Sequence, residues 1–145
     1  MSDIIDKIKA ELNKENAKSP SPVFLWLKGI YREIDSGSAV VDYKIREDMC
    51  NPIGMIHGGT LAMIADETIG IAVVSLGLKE HFVTVDLNLN YLSGAKLGEI
   101  ITAKSKVIRQ GRKIIFTECE IFNAQGKLLI KSTSNLVVTD IKKNY

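Results

Sequence analysis

Asp66 is the residue with the clearest chemical potential in this sequence. It stands beside Glu67 in a long apolar stretch that opens with His57, Gly58 and Gly59. A carboxylate in apolar surroundings can have its basicity raised towards neutral pH. Adjacent glycines leave backbone N–H groups unshielded, and at the start of a helix such groups favour a developing negative charge. These residues therefore suit a reaction in which the carboxylate acts as a base and the backbone N–H groups stabilise an oxyanion. A solvated helix face is the alternative for Asp66, but its helix neighbours are apolar and a buried unpaired carboxylate costs free energy.

Residues 57–77 predict one long buried helix, because apolar residues occur on nearly every side of it. The apolar run at 69–76 is much shorter than the ~20 residues that span a membrane. At 1.5 Å per residue, Gly58 and Asp66 lie about 12 Å apart along the axis, and Asp66 is turned to roughly the opposite side from His57. One chain cannot bring these groups together. We therefore expect the carboxylate to come from a second copy of the chain across a two-fold interface.

Length and composition predict a single globular domain. The chain has 145 residues, of which 46% are hydrophobic, and its net charge of +2 favours no bulk polyanion as a partner. Cys50 and Cys119 have neither the CxxC spacing nor the histidine cluster of a zinc or redox site. The N-terminus lacks the apolar core of a secretory signal. We expect reduced thiols, no metal and a cytoplasmic location.

The pattern of segments predicts an α+β fold. Residues 3–16 form an amphipathic helix, and a Ser-Pro-Ser-Pro break ends an N-terminal segment at 1–22, before one domain at 23–145. Strand patterns occur at 31–34 and 39–45, before the central helix, and those at 81–92, 99–108, 113–122 and 127–139 predict a meander after it. Such an antiparallel sheet buries the helix only by curling around it, which is the hotdog fold. The free edge of a single sheet favours pairing of two chains.

Several motifs in order resemble one family. The run NPIGMIHGG at 51–59 is followed by Ala65-Asp66, then by VTVD at 83–86, YLS at 91–93 and LGE at 97–99. Over about residues 27–138 the chain resembles the hotdog acyl-CoA thioesterases of the phenylacetate-degradation (PaaI-like) type and their mitochondrial relatives. The resemblance implies a hydrolase that acts on an acyl-CoA thioester without a metal or other cofactor.

The resemblance also implies roles for five residues. Asp66 matches the carboxylate that activates water or attacks the thioester, and Gly58 matches the backbone donor to the thioester oxygen. Asn51 and His57 match side chains that position the thioester and the water. Thr84 stands where relatives place a hydroxyl that helps to hold the water.

Three of these residues have structural alternatives. His57 could only cap the helix, and Asn51 could only form a turn. By strand alternation Thr84 points away from the face that carries Val83 and Val85, so it reaches the site only if the strand is bulged or the substrate lies on its side.

Substrate contacts are expected in two places. Arg109, Gly111, Arg112 and Lys113 form a basic hairpin that could hold the phosphates of coenzyme A, although a solvated hairpin is the simpler interpretation for any one of them. Nucleic acid is not expected, because no aromatic residues interleave with these charges. On the central helix, Gly59 and Met63 share the face of Asp66 and are expected to contact substrate. The residues expected to line an acyl pocket are Met55, Met63, Ile69 and Val73.

Two other functions remain open at this point. Hotdog dehydratases and hydratases also act on acyl thioesters, and fold alone does not decide between them and a thioesterase. A non-catalytic acyl-CoA-binding protein is a third possibility. For each function we expect a homo-oligomer, either a dimer or a homotetramer built as a dimer of dimers.

Overall fold

One antiparallel sheet and one long helix make up most of the chain, of which the computed structural model describes residues 3–145. A short 3-10 turn at Glu47–Met49 precedes the long helix. The helices and strands, in chain order, are α1 (Asp3–Lys9), α2 (Pro22–Leu27), β1 (Ile30–Asp35), β2 (Ser38–Lys44), α3 (Gly58–Val74), β3 (Glu80–Tyr91), β4 (Ile100–Gln110), β5 (Ile114–Phe122) and β6 (Leu128–Lys142).

The central helix α3 is held by the concave face of the sheet. Its N-terminus is capped by the His57 side chain, and the Ser75 N–H bonds the Ile71 carbonyl at the other end. Tyr43 and Ser105 of the sheet reach Thr68 in the middle of the helix by hydrogen bonds of 2.9 and 2.7 Å. The predicted helix and the predicted α+β class are confirmed. The sheet residues buried against the helix include Val41, Tyr43, Ile101, Ala103, Ile115, Ile121, Leu129 and Leu136.

The order of strands differs from the predicted meander. The order is β1-β2-β4-β5-β6-β3, with every pair antiparallel, so only β4, β5 and β6 follow one another as a meander. Strand β3 pairs with β6 instead of β4 and lies at one edge. The segment after β3 does not turn back as a hairpin: it crosses beside the loop before α3, where Leu97 N–H bonds the Gly54 carbonyl. Pairing of consecutive strands is only a tendency, and this crossing overrides it.

A β-bulge in β3 decides which of its side chains face the helix. The register with β6 shifts between Thr84 and Asp86, which leaves Val85 without a partner on β6. Thr84 is opposite the buried Leu136, whereas Val83 is opposite Val137. Val83 and Val85 are both exposed, on the side away from Thr84, but the predicted continuation of their face through Leu87, Leu89 and Tyr91 is wrong, because the extra residue reverses the alternation. Before the bulge Thr84 faces α3, and after it Leu87, Leu89 and Tyr91 do.

The N-terminal helix is shorter than predicted. Helix α1 ends at Lys9, and Asn13 and Asn16 adopt positive φ angles of 60° and 54°, a left-handed conformation that asparagine tolerates but a helix does not. The Asn13 N–H instead bonds the Tyr31 carbonyl of β1 at 2.8 Å. Among residues 3–145, no helix is long and apolar enough to cross a membrane.

Candidate active site

The Asp66 carboxylate is held at the wall of a cavity of about 850 Å³. Its Oδ1 accepts a hydrogen bond of 2.9 Å from the Thr84 hydroxyl. Thr84 can reach it because of the bulge that places this side chain on the helix side of β3. No other hydrogen bond to the carboxylate occurs within residues 3–145. The carboxylate is thus oriented by one donor and keeps an oxygen available to water or substrate.

The cavity is mainly apolar, and it lies between α3, α1 and the first half of β3. On α3 its wall is the stripe of Gly70, Ile71 and Val74, which follow Asp66 and Glu67 at helical spacing. The prediction that Ile69 and Val73 line this space is wrong, because both are fully buried in the core against the sheet. The other walls are formed by Ile4, Lys7, Ile8, Ala10, Glu11, Lys18, Ser19, Pro20, Ser21, Tyr31, His81, Phe82, Thr84, Leu136 and Tyr145.

Met63 and Gly59 are not part of this cavity wall. Met63 is 38% exposed on the helix surface one turn before Asp66. Met55 packs against Gly94, in the loop that follows β3. This geometry therefore does not place Met55, Gly59 or Met63 in contact with substrate bound in the cavity beside Asp66 of the same chain.

Glu67 is a cavity residue whose role the sequence did not reveal. Burial raises the pKa of the Glu67 carboxyl, a hydrogen bond from the Ser21 hydroxyl opposes that rise, and the neighbouring Asp66 charge adds to it. Two carboxyl groups in different environments therefore stand side by side on α3. Glu67 precedes Ile71 by four residues, which is about one helical turn. This spacing could have predicted that Glu67 lies on the same stripe of the helix as Ile71.

The start of α3 presents one unpaired backbone donor. His57 Nδ1 accepts a 2.8 Å hydrogen bond from the Gly59 N–H, so that amide is used by the cap. The Gly58 N–H has no acceptor within residues 3–145. Since Nδ1 is an acceptor, the proton of a neutral His57 ring is on Nε2. The structure assigns the capping role to His57, and of the two glycines only Gly58 has a free N–H at the positive end of the helix dipole.

Tyr91 ties this end of the helix to the sheet. Its hydroxyl donates a 2.8 Å hydrogen bond to the Gly58 carbonyl. Tyr91 and Thr84 both belong to β3, so Gly58 and Asp66 of α3 are bonded to the same edge strand. The only sequence signal for this contact is that Tyr91 lies in one of the motifs.

Asn51 forms a turn in this chain. Its Oδ1 accepts hydrogen bonds of 3.1 Å from the Ile53 and Met55 N–H groups, and its own N–H bonds the Met55 carbonyl. This turn delivers the chain to the His57 cap. The side-chain nitrogen of Asn51 has no partner within the described residues 3–145.

The basic hairpin forms a separate cavity of about 720 Å³ at the β4–β5 turn. Asn135 lines this second cavity and Leu136 the first, and neighbouring residues of a strand point to opposite faces. Within one chain the structure thus brings the four predicted hairpin residues together but separates them from Asp66. The walls are Ile108, Arg109, Gly111, Arg112, Lys113, Ile114, Phe116 and Asn135.

The cysteines do not form a second reactive site. Both are free thiols, with Cys119 buried and Cys50 partly buried. Burial raises the pKa of the Cys119 thiol to about 12, which keeps it protonated at neutral pH. Within residues 3–145, no cluster of His, Cys, Asp and Glu side chains could hold a metal ion.

Known proteins similar to this chain identify its family. Residues 53–130 match the family model of the thioesterase superfamily. Acyl-coenzyme A thioesterase 13 of Homo sapiens is 36% identical over 94 residues, which are 64% of this chain and 67% of that protein. A hypothetical thioesterase protein of Streptococcus pneumoniae, solved with coenzyme A, is 30% identical, with a TM-score of 0.74 over 79% of this chain and 88% of that one.

A more distant structure has the same fold. The PaaI protein of the E. coli phenylacetic acid degradation operon has a TM-score of 0.79 at 24% identity, over 85% of this chain and 88% of that one. The resemblance stated from the sequence motifs is confirmed. The match of the family model spans more than half of the chain and includes both the helix that carries Asp66 and the strand that holds it. The chain therefore belongs to the thioesterase superfamily, a family of thioester-hydrolysing enzymes.

Proposed function

We propose that this chain hydrolyses acyl-CoA thioesters to the free acid and coenzyme A. The observation that carries the proposal is the Thr84–Asp66 hydrogen bond at the wall of a large apolar cavity. The cavity suits an acyl group, and the carboxylate suits activation of water next to it. The human relative's name and the S. pneumoniae structure with coenzyme A support the same substrate class.

The reaction uses two groups that act on opposite sides of the thioester carbonyl. The Gly58 N–H donates to the carbonyl oxygen as it becomes negatively charged. Asp66 either takes a proton from the attacking water or attacks the carbonyl carbon itself. A C–O bond forms, the C–S bond breaks, and the sulfur leaves as the thiolate or thiol of coenzyme A. With Asp66 as nucleophile, water then cleaves the resulting anhydride. Asn51 and His57 would support this site by shaping the turn and the cap that present Gly58.

Each active site would combine two chains. Gly58 and Asp66 are about 12 Å apart along one helix, which is too far for both to contact one carbonyl group. Strand β3 has no neighbour at its outer edge within residues 3–145, and Val85 at its bulge is 61% exposed. An uncovered strand edge is a natural place for a second copy to pair.

The register of β3 suggests where the two-fold axis passes. If the extra residue Val85 is left out of the count, an axis at Asn88 places Thr84 opposite the partner's Tyr91 in an antiparallel pair. Since Thr84 holds Asp66 and Tyr91 holds Gly58, this pairing brings the carboxylate of one chain towards the backbone donor of the other. The assembly would be a dimer or a homotetramer made of two dimers.

The basic hairpin would bind the phosphates of coenzyme A. Arg109, Arg112 and Lys113 supply three cations around the second cavity, and Gly111 permits the tight turn, since a Cβ there would be 2.7 Å from the Ile114 carbonyl oxygen. This assignment predicts that Arg112→Ala raises KM while kcat stays close to the wild-type value. We also propose a cytoplasmic location, which the two free thiols support. One catalytic domain would extend over 23–145 and follow an N-terminal segment at 1–22, of which residues between 4 and 21 contribute to the cavity wall.

A thiol-release assay tests the proposed function. The wild-type protein is assayed with acetyl-, hexanoyl-, phenylacetyl- and benzoyl-CoA, beside Asp66→Asn. We expect hydrolysis by the wild type and a loss of about 10³-fold in kcat for the variant. Asp42→Asn is the matched control, because Asp42 also accepts a threonine hydroxyl, that of Thr102, but lies outside both cavities. Wild-type hydrolysis that survives Asp66→Asn would overturn the mechanism.

Mixing two inactive variants tests the shared site. Asp66→Asn removes the carboxylate, and Gly58→Pro removes the backbone donor. Half of randomly re-formed dimers are mixed and one of their two sites is intact, so about a quarter of the wild-type activity should return. Mixed dimers verified by mass spectrometry that regain nothing would show that both groups act within one chain.

A further inference from the structure

The peptide unit between Gly58 and Gly59 is bonded at both of its polar atoms. Its carbonyl oxygen accepts the Tyr91 hydroxyl at 2.8 Å, and its N–H donates to His57 Nδ1 at 2.8 Å. This is the first peptide of α3, and the N–H groups of a first helical turn have no acceptor within the helix. Side chains from two different segments, the edge strand and the preceding loop, thus fix its plane.

The peptide before it is also fixed. The His57 carbonyl accepts hydrogen bonds from the Thr60 and Leu61 N–H groups at 2.9 and 3.1 Å, and the His57 N–H bonds the Met49 carbonyl. In a trans peptide the N–H points opposite to the carbonyl. The Gly58 N–H is therefore directed out of the helix start, with a bonded peptide on each side of it.

We propose that Tyr91 is a positioning residue for thioester hydrolysis, whose hydroxyl holds the Gly58 carbonyl so that the Gly58 N–H stays aimed at the transition-state oxygen. This inference rests on the proposed function. Two consecutive glycines have more backbone freedom than any other pair, so without an external tie the first turn can rotate. A donor that deviates from its aim loses stabilisation of the transition state more than binding of the substrate.

Steric packing adds to the hydroxyl bond. A Cβ atom at Gly58 would be 3.4 Å from Cε1 of Tyr91, which is an ordinary van der Waals contact. The tyrosine ring therefore lies directly against the glycine whose N–H is used. Loss of the hydroxyl alone keeps this packing, so Tyr91→Phe isolates the hydrogen bond.

The first test is the split between kcat and KM for Tyr91→Phe. We expect kcat to fall about tenfold, with KM within about twofold of the wild type. Tyr43→Phe is the matched control: it also removes a hydroxyl that bonds α3, but at Thr68 in the core, and its kcat should be unchanged. A wild-type kcat in Tyr91→Phe, or a loss that appears only in KM, would overturn the proposal.

A double-mutant cycle separates positioning from general stabilisation. In a Gly58→Pro background the backbone donor is absent, so Tyr91→Phe should lower the residual kcat by less than twofold. The same tenfold loss in both backgrounds would show that Tyr91 acts through something other than the Gly58 N–H. Light scattering on each variant checks that the oligomeric state is the same.

Amide hydrogen exchange gives a readout that does not depend on activity. The Gly59 amide should exchange at least several-fold faster in Tyr91→Phe than in the wild type, while Tyr43→Phe leaves it unchanged. Unchanged exchange in Tyr91→Phe would contradict the positioning role. If the wild type hydrolyses acyl-CoA but Tyr91→Phe behaves like it, only this inference fails. If no acyl-CoA is hydrolysed, the proposed function fails, and this inference fails with it.

Discussion

The two ends of β3 hold the central helix by the same kind of bond but to different effect. Near the start of the strand the Thr84 hydroxyl bonds the carboxylate of Asp66, and at its end the Tyr91 hydroxyl bonds the backbone carbonyl of Gly58. At the first contact the bonded group is a side chain that can itself react. At the second it is a peptide that only presents a neighbouring N–H. In the proposed mechanism, residue type therefore decides the chemistry at Asp66, whereas backbone placement decides it at Gly58.

Among the substitutions that test this difference, one at Gly58 is expected to lower kcat the most. Gly58→Pro deletes the N–H but suits the first position of a helix, and His57 already has the extended backbone, φ −64° and ψ 138°, that a following proline requires. We expect kcat to fall about 10² to 10³-fold in a thiol-release assay with little change in thermal stability.

Gly58→Ala is the matched control for this loss. It adds a Cβ against Tyr91 as proline does but keeps the N–H, so it should retain much more activity than Gly58→Pro. Equal kcat values for the two variants would mean that the amide is not the oxyanion donor.

A smaller effect is expected at Thr84. Thr84→Val keeps the shape of the side chain and removes the hydroxyl that orients the Asp66 Oδ1, so kcat should fall about tenfold. Thr102→Val removes an equivalent hydroxyl from Asp42, where the bond is 2.6 Å long, and should leave kcat unchanged. Loss of activity in both variants would point to a general effect of sheet stability.

A third hydroxyl bond to α3 should affect stability alone. Thr68 donates its proton to the Ile64 carbonyl, so the Tyr43 hydroxyl is the donor to Thr68 at 2.9 Å. Tyr43→Phe removes this buried bond and should lower the free energy of unfolding by about 1 kcal/mol in urea titrations. A clear loss of kcat would show that the core of the helix, and not only its contacts with β3, sets the geometry of the site.

The smallest effect concerns the second carboxyl of the cavity. Burial raises the pKa of Glu67 above its ordinary value of 4.5, so the folded chain binds this proton more tightly than the unfolded chain. The contribution of Glu67 to the free energy of unfolding is fully present below pH 4.5 and is lost as the pH rises through the raised pKa. The urea midpoint of unfolding should therefore decline between about pH 4 and 7.5 in the wild type, and Glu67→Gln should abolish this decline.

Glu80 provides a control of the opposite sign. A hydrogen bond from the Lys142 ammonium lowers the pKa of the exposed Glu80 carboxyl. Its contribution is therefore present above 4.5 and is lost as pH falls through the lowered pKa. Glu80→Gln should reduce stability at neutral pH relative to acid pH. The same trend in both variants would contradict the assigned pKa directions.

Much of the fold followed from periodicity. The apolar run of α3 and the alternation in β2, β4, β5 and β6 predicted each element to within a few residues, because burial on one face leaves a repeat in the sequence. The order of the strands was not predictable in this way. Strand β3 has the same repeat whether it pairs with β4 or with β6, and its single-residue bulge leaves no distinct signal.

The candidate site was likewise predictable from the sequence only in part. Asp66 was found from its type and position, since an acidic residue in an apolar helix is unusual. The use of the Gly59 N–H by His57, which leaves Gly58 as the donor, depends on the direction of one ring. Ile69 and Val73 were expected at the acyl pocket because they share a broad helix face with Asp66, but the sheet covers that part of the helix and the cavity opens on the stripe of Gly70 and Val74.

By itself the sequence determined the family, the central helix and the carboxylate, because residue type, spacing and apolar pattern are local properties of a chain. Only the tertiary structure decided that β3 lies at an edge, that Thr84 faces Asp66 and that Tyr91 holds Gly58. These contacts join residues 18 and 33 positions apart in the chain. Their geometry depends on how the sheet curls and on where one strand is bulged, and no local pattern encodes that.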